Sequence, residues 1–241
     1  MSQCVLITGA TSGIGKACAQ VFAAQGYDLF LMARSGEKLS LLQRELSSSY
    51  STIHVATVAV DVGDRQGMEK VFTDNKNLDN LSFVIASAWV AKDMQTIDQL
   101  DLDDADEMIA TNTNGVVYTV RLALPYIMKQ WAWHIITLSS ISAYISYSGG
   151  SIYGSTKAFV SMFAESIRKD LMSQNIKVTN VCPWQVETNF QKYRFDGDEK
   201  RAQAWTSANI QIEADDLAQQ IYAITQSPLD IAEIRIPHRS K

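Results

Sequence analysis

The sequence predicts an α/β fold: one doubly wound parallel sheet of about seven strands with helices on both faces. Three observations carry this. Short apolar runs alternate with stretches of helical spacing along the whole chain. The first such run leads through a glycine-rich turn directly into a helix. No Pro/Gly/Ser-rich linker, internal repeat or low-complexity segment interrupts the pattern, so residues 1–241 read as a single domain. A hydrophobic fraction of 46% is ample for its core.

The elements follow in order. Strands are expected near 3–8, 27–33, 53–60, 81–86, 133–139, 176–182 and 231–236, and helices near 13–25, 36–48, 65–76, 98–130 (as two segments), 151–174 and 213–226. Right-handed crossovers put helices on both sheet faces and the ligand outside the carboxyl ends of the strands. Thr8, Ala33, Asp61, Ala86, Ser139 and Cys182 close strands at that edge. The stretch 187–212 is long, polar and weakly periodic, and reads as a substrate lid with room for a short helix.

The first turn reads Thr8-Gly9-Ala10-Thr11-Ser12-Gly13-Ile14-Gly15, between the apolar run Cys4-Val5-Leu6-Ile7 and a helix that ends at Gly26. Strand, glycine turn and helix make a dinucleotide-binding unit: glycines let the backbone approach a pyrophosphate, and the helix N-terminus faces its charge. The spacing Gly-x-x-x-Gly-x-Gly meets the general Gly-x-Gly-x-x-Gly fingerprint only loosely. The second strand ends Leu31-Met32-Ala33-Arg34-Ser35, with no acidic residue for a ribose 2′-hydroxyl. Arg34 offers a fixed cation suited to a 2′-phosphate, with Ser35 adding a hydrogen bond, which favours NADP(H); taken alone, Arg34 reads better as a solvated loop residue. Asp61-Val62 follows the third strand, where Asp61 could also cap the next helix.

Tyr153 and Lys157 stand four residues apart, on one face of a helix, and Ser140 lies thirteen residues before the tyrosine. An ammonium beside a phenol favours the phenolate, so the tyrosine pKa is expected to fall and the phenol to serve as a general acid or base. Singly, each residue has a plain role: Ser140 as a turn residue, Lys157 as a solvated lysine, Asn112 as a polar contact within a helix.

Together, the glycine loop, Asn112, Ser140, Tyr153 and Lys157 resemble the short-chain dehydrogenase/reductase family in order and spacing, from Cys4 to about Pro237. The resemblance implies a Rossmann-type sheet and an oxidoreductase using NADP(H) on a small alcohol or carbonyl substrate. It implies that Tyr153 exchanges a proton with the substrate oxygen as hydride passes to or from the nicotinamide. Lys157 would hold the nicotinamide ribose and lower the tyrosine pKa, and Ser140 would hydrogen-bond the substrate oxygen. Asn112 would kink its helix and relay protons toward Lys157, Asp61 and Val62 would flank the adenine, and Thr188, in Cys-Pro-x-x-Val-x-Thr, would bind the carboxamide. The ending Ser227–Pro237 is similar to members acting on 3-hydroxy acids such as serine, with oxoacyl or general ketone reductases as the rival; Lys192, Arg194, Lys200 and Arg201 could meet an anionic substrate or be solvated. The family forms dimers or tetramers through the helices at 98–130 and 151–174, so a homo-oligomer is expected.

A net charge of −5 gives no support for nucleic-acid binding, and no apolar run is long enough to span a membrane. The N-terminus enters a strand directly, without a signal-like segment. Cys4, Cys18 and Cys182 read as buried small hydrophobes in a reducing compartment, and a cytoplasmic location is expected. His54, His134 and His238 lack ligand spacing, and Asp196-Gly197-Asp198 lacks the rest of a calcium loop, so no metal is expected.

The chain also departs from the family. Ala86-Ser87-Ala88-Trp89 stands where the family has Asn-Asn-Ala-Gly, Pro183-Trp184 where it has Pro-Gly, and Gln130-Trp131-Ala132-Trp133 at an often glycine-rich turn. Tryptophan against a nucleotide is expected to exceed the usual overpacking cost of about 1–3 kcal/mol unless the backbone shifts, with added strain if the position needs φ > 0. Three readings follow: Trp89 or Trp184 stacks on cofactor or substrate, obstructs the site of a catalytically silent protein, or marks alteration of a parent enzyme. Trp131, Trp133 and Trp205 also read as ordinary core aromatics.

Overall fold

A computed structural model describes residues 3–75, 78–129, 133–187, 194, 198, 200 and 212–237. Seven strands form one parallel sheet: β1 (Cys4–Thr8), β2 (Asp28–Ala33), β3 (Val55–Ala59), β4 (Leu81–Ala86), β5 (Trp133–Leu138), β6 (Ile176–Pro183) and β9 (Glu233–Ile236), in the order β3-β2-β1-β4-β5-β6-β9. The order reverses between β1 and β4, and the crevice beyond their carboxyl ends is the natural ligand position of such a sheet.

The strands are apolar on both faces because both faces are covered. Alternate residues enter two separate cores. Val5, Ile7, Leu29 and Leu31 pack with α1 (Gly13–Ala24), α2 (Gly36–Ser49) and the C-terminal helix α7 (Ala214–Gln226). Leu6, Phe30, Met32 and Val84 pack on the other side with α3 (Arg65–Asp74), α5 (Gly115–Ile127) and α6 (Ser151–Leu171). The three cysteines are free and buried, Cys4 and Cys18 among these apolar groups and Cys182 beside Asn180 and Glu233. No helix among the described residues is long and apolar enough to cross a membrane.

Most expected elements stand within two residues of their sequence-derived bounds. The stretch at 98–130 differs more: α4 (Leu102–Ile109) continues through a π turn at Ala110–Asn114 into α5. The two helical segments are thus joined without a break, and the extra residue of the wide turn brings Asn112 inward. A second, two-stranded parallel sheet was not foreseen: β7 (Val186–Glu187) pairs with β8 (Ile212–Glu213), and Ile212 N donates to Gln185 O at 2.9 Å. It brackets the expected lid, most of which, with Thr188, Lys192 and Arg201, lies outside the described residues. Trp131, Trp205, Asp196, Gly197 and His238 also lie outside them.

Trp133 opens β5 and is buried, an ordinary core aromatic. The strain expected at Trp89 and Trp184 is absent. Among described non-glycine residues only Asn175 has positive φ, at 57°. The tryptophans therefore change what fills the space and leave the backbone conformation ordinary.

His134 on β5 is buried, its Nε2 2.7 Å from Thr179 Oγ1. Burial, reinforced by the Lys177 charge and opposed by Asp230, lowers its pKa from 6.5 to about 4. The unfolded chain therefore takes up this proton first. The neutral ring's contribution is complete above pH 6.5 and is lost as pH falls toward 4. The loss is expected to reach roughly 3 kcal/mol. Denaturant titrations at about pH 7.5 and about pH 4.5 should show a larger drop for the wild type than for His134→Gln. Equal drops would assign the acid sensitivity elsewhere.

Candidate active site

The site begins where β1 ends. Gly9 adopts φ +67°, and a Cβ there would come within 2.8 Å of Ala88 Cα. Only glycine lets the first turn lie this close to the segment after β4. That approach is tied by two hydrogen bonds: Ser87 Oγ donates to Thr8 O, and Ala88 N donates to Thr8 Oγ1 at 3.0 Å. At the start of α1 the Ser12 side chain makes no capping bond and the first turn carries no acidic residue. The helix N-terminus therefore offers its N–H groups and partial positive charge to an anion.

A cavity of about 390 Å³ opens here. Its lining includes Gly9, Thr11, Ser12, Gly13, Ile14, Gly15, Arg34, Ser35, Asp61 and Val62, the residues expected to hold the adenosine and pyrophosphate of a dinucleotide. Ser87, Ala88, Trp89, Lys38, Lys92 and Glu107 join them. The glycine cradle and the cations at the far end fit that part of NADP(H).

Arg34 is not simply solvated. Its Nη1 lies 2.7 Å from Glu107 Oε1, and Lys92 Nζ lies 2.6 Å from Glu107 Oε2 and 3.5 Å from Asp104 Oδ1. Burial pushes the Glu107 carboxyl up, but hydrogen bonds from Lys92 and Arg34 outweigh it and hold the pKa below the usual range. An incoming phosphate would share Arg34 with this carboxylate. Ser35 caps α2, its Oγ accepting from Lys38 N at 3.3 Å. Asp61 accepts from Gly63 N at 2.8 Å, while Asp64 caps α3, so the capping alternative for Asp61 does not hold.

Ser140, Tyr153, Lys157 and Asn112 come together, all buried, across the carboxyl ends of β4, β5 and β6. Ser140 starts a short 3-10 turn at Ile141–Ala143, its Oγ accepting from Ser142 N at 3.1 Å. Tyr153 and Lys157 share one face of α6, as their spacing requires. Asn112 spends its amide locally: Oδ1 accepts from Val90 N at 2.8 Å, and Nδ2 donates to Val90 O at 2.8 Å and to Thr156 Oγ1 at 3.1 Å. It fastens the segment after β4 to α6.

The expected coupling of lysine to tyrosine is corrected. Lys157 Nζ donates to Leu138 O at 2.9 Å and lies 4.7 Å from the Trp89 ring centroid and 5.7 Å from that of Tyr153. Burial lowers its pKa to about 7, against a raising influence of Cys182. The Tyr153 phenol is driven up rather than down. Burial dominates, Tyr147 adds to it, and Arg194 and a hydrogen bond with Ser140 oppose it. Tyr153 is therefore a protonated phenol at neutral pH.

Arg194 is the one described lid residue that enters the site. It is 3% exposed, with its guanidinium carbon 5.6 Å from the Tyr153 ring centroid and 5.9 Å from that of Tyr147, and its Nη2 3.3 Å from Tyr147 Oη. Lys200 is exposed. Sequence reasoning missed Tyr147, Lys38, Lys92 and Glu107. Lys38 had a signal, since it lies one helical turn beyond Arg34; Glu107, 73 residues from Arg34, had none. Among the described residues no group of His, Cys, Asp or Glu could hold a metal.

Comparison with known proteins agrees with this fold. The model of the short chain dehydrogenase family matches residues 3–199. Sulfoacetaldehyde reductase 2 of Chromohalobacter salexigens is 34% identical over 233 residues, 96% of this chain and 91% of that protein. Serine 3-dehydrogenase of Agrobacterium fabrum is 32% identical over 232 residues, covering 96% and 91%. The NADP-dependent 3-hydroxy acid dehydrogenase YdfG of Escherichia coli K12 is 30% identical over 229 residues, covering 94% and 90%. Among solved structures, the closed form of a serine dehydrogenase complexed with NADP+ superposes with a TM-score of 0.88 at 29% identity, covering 96% of this chain and 94% of that one.

Proposed function

This chain belongs to the short-chain dehydrogenase family, and from that premise we propose that it is an NADP(H)-dependent oxidoreductase whose substrate is a small hydroxy acid or the matching carbonyl acid. The observation that carries the substrate class is Arg194, a buried cation laid against Tyr153. A guanidinium in that position matches a carboxylate or sulfonate a few bonds from the reacting oxygen. The relatives named above act on compounds of that kind: sulfoacetaldehyde, serine and 3-hydroxy acids. A catalytically silent protein is not favoured, because Ser140, Tyr153, Lys157 and Asn112 stand together and the relatives are named dehydrogenases and reductases.

NADP(H) supplies or accepts the hydride at its nicotinamide when bound. Gly9, Thr11, Ser12, Gly13, Ile14 and Gly15 would hold its pyrophosphate, Arg34 and Ser35 its 2′-phosphate, Asp61 and Val62 its adenine, and Lys157 and Thr188 its nicotinamide end. In reduction, Tyr153 Oη donates its proton to the carbonyl oxygen; in oxidation it takes the proton from the hydroxyl. Ser140 Oγ hydrogen-bonds the same oxygen and stabilises charge that develops there. Arg194 and the hydrogen bond with Ser140 favour the phenolate left behind, and Asn112 keeps the segment around Val90 against α6. Self-association fits the exposed Phe159 and Met162 on α6. Location in the cytoplasm fits three buried free cysteines.

The test is turnover of 3-hydroxy acids and short hydroxysulfonates with NADP+, beside neutral alcohols of equal length, in wild type and Arg194→Leu. Losing a charge-assisted hydrogen bond worth about 1.5–3 kcal/mol should raise KM for the acids roughly 10–100-fold and leave the neutral alcohols nearly unchanged. An equal effect on both substrate types would remove the anion assignment. Sedimentation of the same sample as a monomer would remove self-association.

A further inference from the structure

One side chain stands between the cofactor cavity and the catalytic groups. The cavity runs from Arg34 past the glycine loop to Ser87, Ala88 and Trp89, and its described lining stops short of Tyr153 and Lys157. The indole of Trp89 fills the interval. Its centroid is 6.0 Å from that of Tyr153, the planes inclined at 48°, and Lys157 Nζ lies 4.7 Å from the Trp89 ring centroid. The main chain on either side is pinned, Ala88 N to Thr8 Oγ1 and Val90 N and O to Asn112. Trp89 itself is only half-buried and its backbone is unstrained, so the movable part is the side chain.

We propose that Trp89 is a side-chain gate on the nicotinamide half of the cofactor site: its indole covers the Lys157 ammonium and must turn aside before the whole dinucleotide can reach Tyr153. The proposal rests on the NADP(H) reading of the cavity. The adenosine half fits with the indole in place, because the glycine loop, Arg34, Ser35 and Asp61 lie on the near side of it. The nicotinamide half, on its way to Tyr153 and Lys157, would meet the indole that lies against both. Turning the indole gives up its cation–π contact with Lys157 and its contact with Tyr153, and this loss is charged against NADPH alone. The site should therefore discriminate against the intact cofactor relative to its own adenosine end.

The experiment is calorimetric titration of wild type, Trp89→Gly and Trp89→Phe with two probes, NADPH and adenosine 2′,5′-bisphosphate. The bisphosphate should bind all three proteins within about twofold, while NADPH should bind Trp89→Gly at least about tenfold more tightly than wild type. Trp89→Phe keeps a ring and a branched-free backbone position, so it should show a smaller gain and serves if the glycine variant fails to fold. Bisphosphate binding with unchanged or weakened NADPH binding in both variants would overturn the gate and make the indole a stacking partner of the cofactor. Binding of neither probe to any of the proteins would take down the NADP(H) reading of the cavity, and the gate with it.

Discussion

Tyr153→Phe is expected to lower turnover by roughly 10²–10⁴-fold while NADPH still binds with unchanged affinity. The substitution removes one oxygen and keeps the ring that packs with Trp89, Ala91 and Met108. The stability cost is expected to stay near 1 kcal/mol, because Ser140 Oγ keeps its bond from Ser142 N. What disappears is the proton. The phenol is raised by burial, so at neutral pH the wild type carries this proton and can deliver it to a carbonyl oxygen; phenylalanine cannot. Single-turnover reduction, with NADPH affinity measured in parallel, checks this. Turnover within about threefold of wild type would sink the assignment of Tyr153, since general acid–base effects are far larger.

Gly15→Ala is expected to abolish useful cofactor binding, by about 100-fold or more, with a stability loss of about 1–3 kcal/mol. The added Cβ would overlap the Gly9 carbonyl, lying 2.9 Å from its carbon and 2.9 Å from Ser87 Oγ. The obstacle is backbone, and Ser87 is itself bound to Thr8. Relief can come only by moving the glycine turn away from α1 or toward Ala88, and both close the cavity. Gly26→Ala supplies the control. Nothing lies within 4 Å of its Cβ, and its penalty comes from φ +82° alone. It should lose stability without losing cofactor. Normal NADPH binding by Gly15→Ala would mean that the cradle is not where the pyrophosphate lies.

Much of this was legible in the chain because it depends on local chemistry. Apolar runs between glycine turns located the strands, and the four-residue spacing put Tyr153 and Lys157 on one helix face. The cofactor residues named from the sequence gather around one cavity, Thr188 lying outside the described residues and Tyr153 and Lys157 beyond Trp89. What failed depends on long-range surroundings. Spacing alone argued that Lys157 would lower the Tyr153 pKa, but the burial of both groups is set by β5, β6 and the segment after β4. Desolvation outweighs a charge that points at Leu138 O. The pairing of Arg34 with Glu107 was likewise beyond reach of spacing, because Glu107 comes from α4, far away in sequence. The bulk of Trp89 could be read from its residue type, but the strain expected there is absent. A residue type reveals its volume, whereas φ is fixed by the turn it joins.

The small parallel pairing of β7 with β8 has an evolutionary and engineering consequence. Hydrogen bonding Ile212 to Gln185 sets the two ends of the intervening stretch side by side, about 5 Å apart, as neighbouring strands must be. An insert whose ends already meet behaves as an exchangeable cassette. Doubling the length of such a stretch costs only about 0.6 kcal/mol of closure entropy. Arg194, the residue that would select an acid, rides on that cassette, while Ser140, Tyr153 and Lys157 belong to the frame. A change at Arg194 would therefore alter both the charge offered to a substrate and the surroundings of Tyr153.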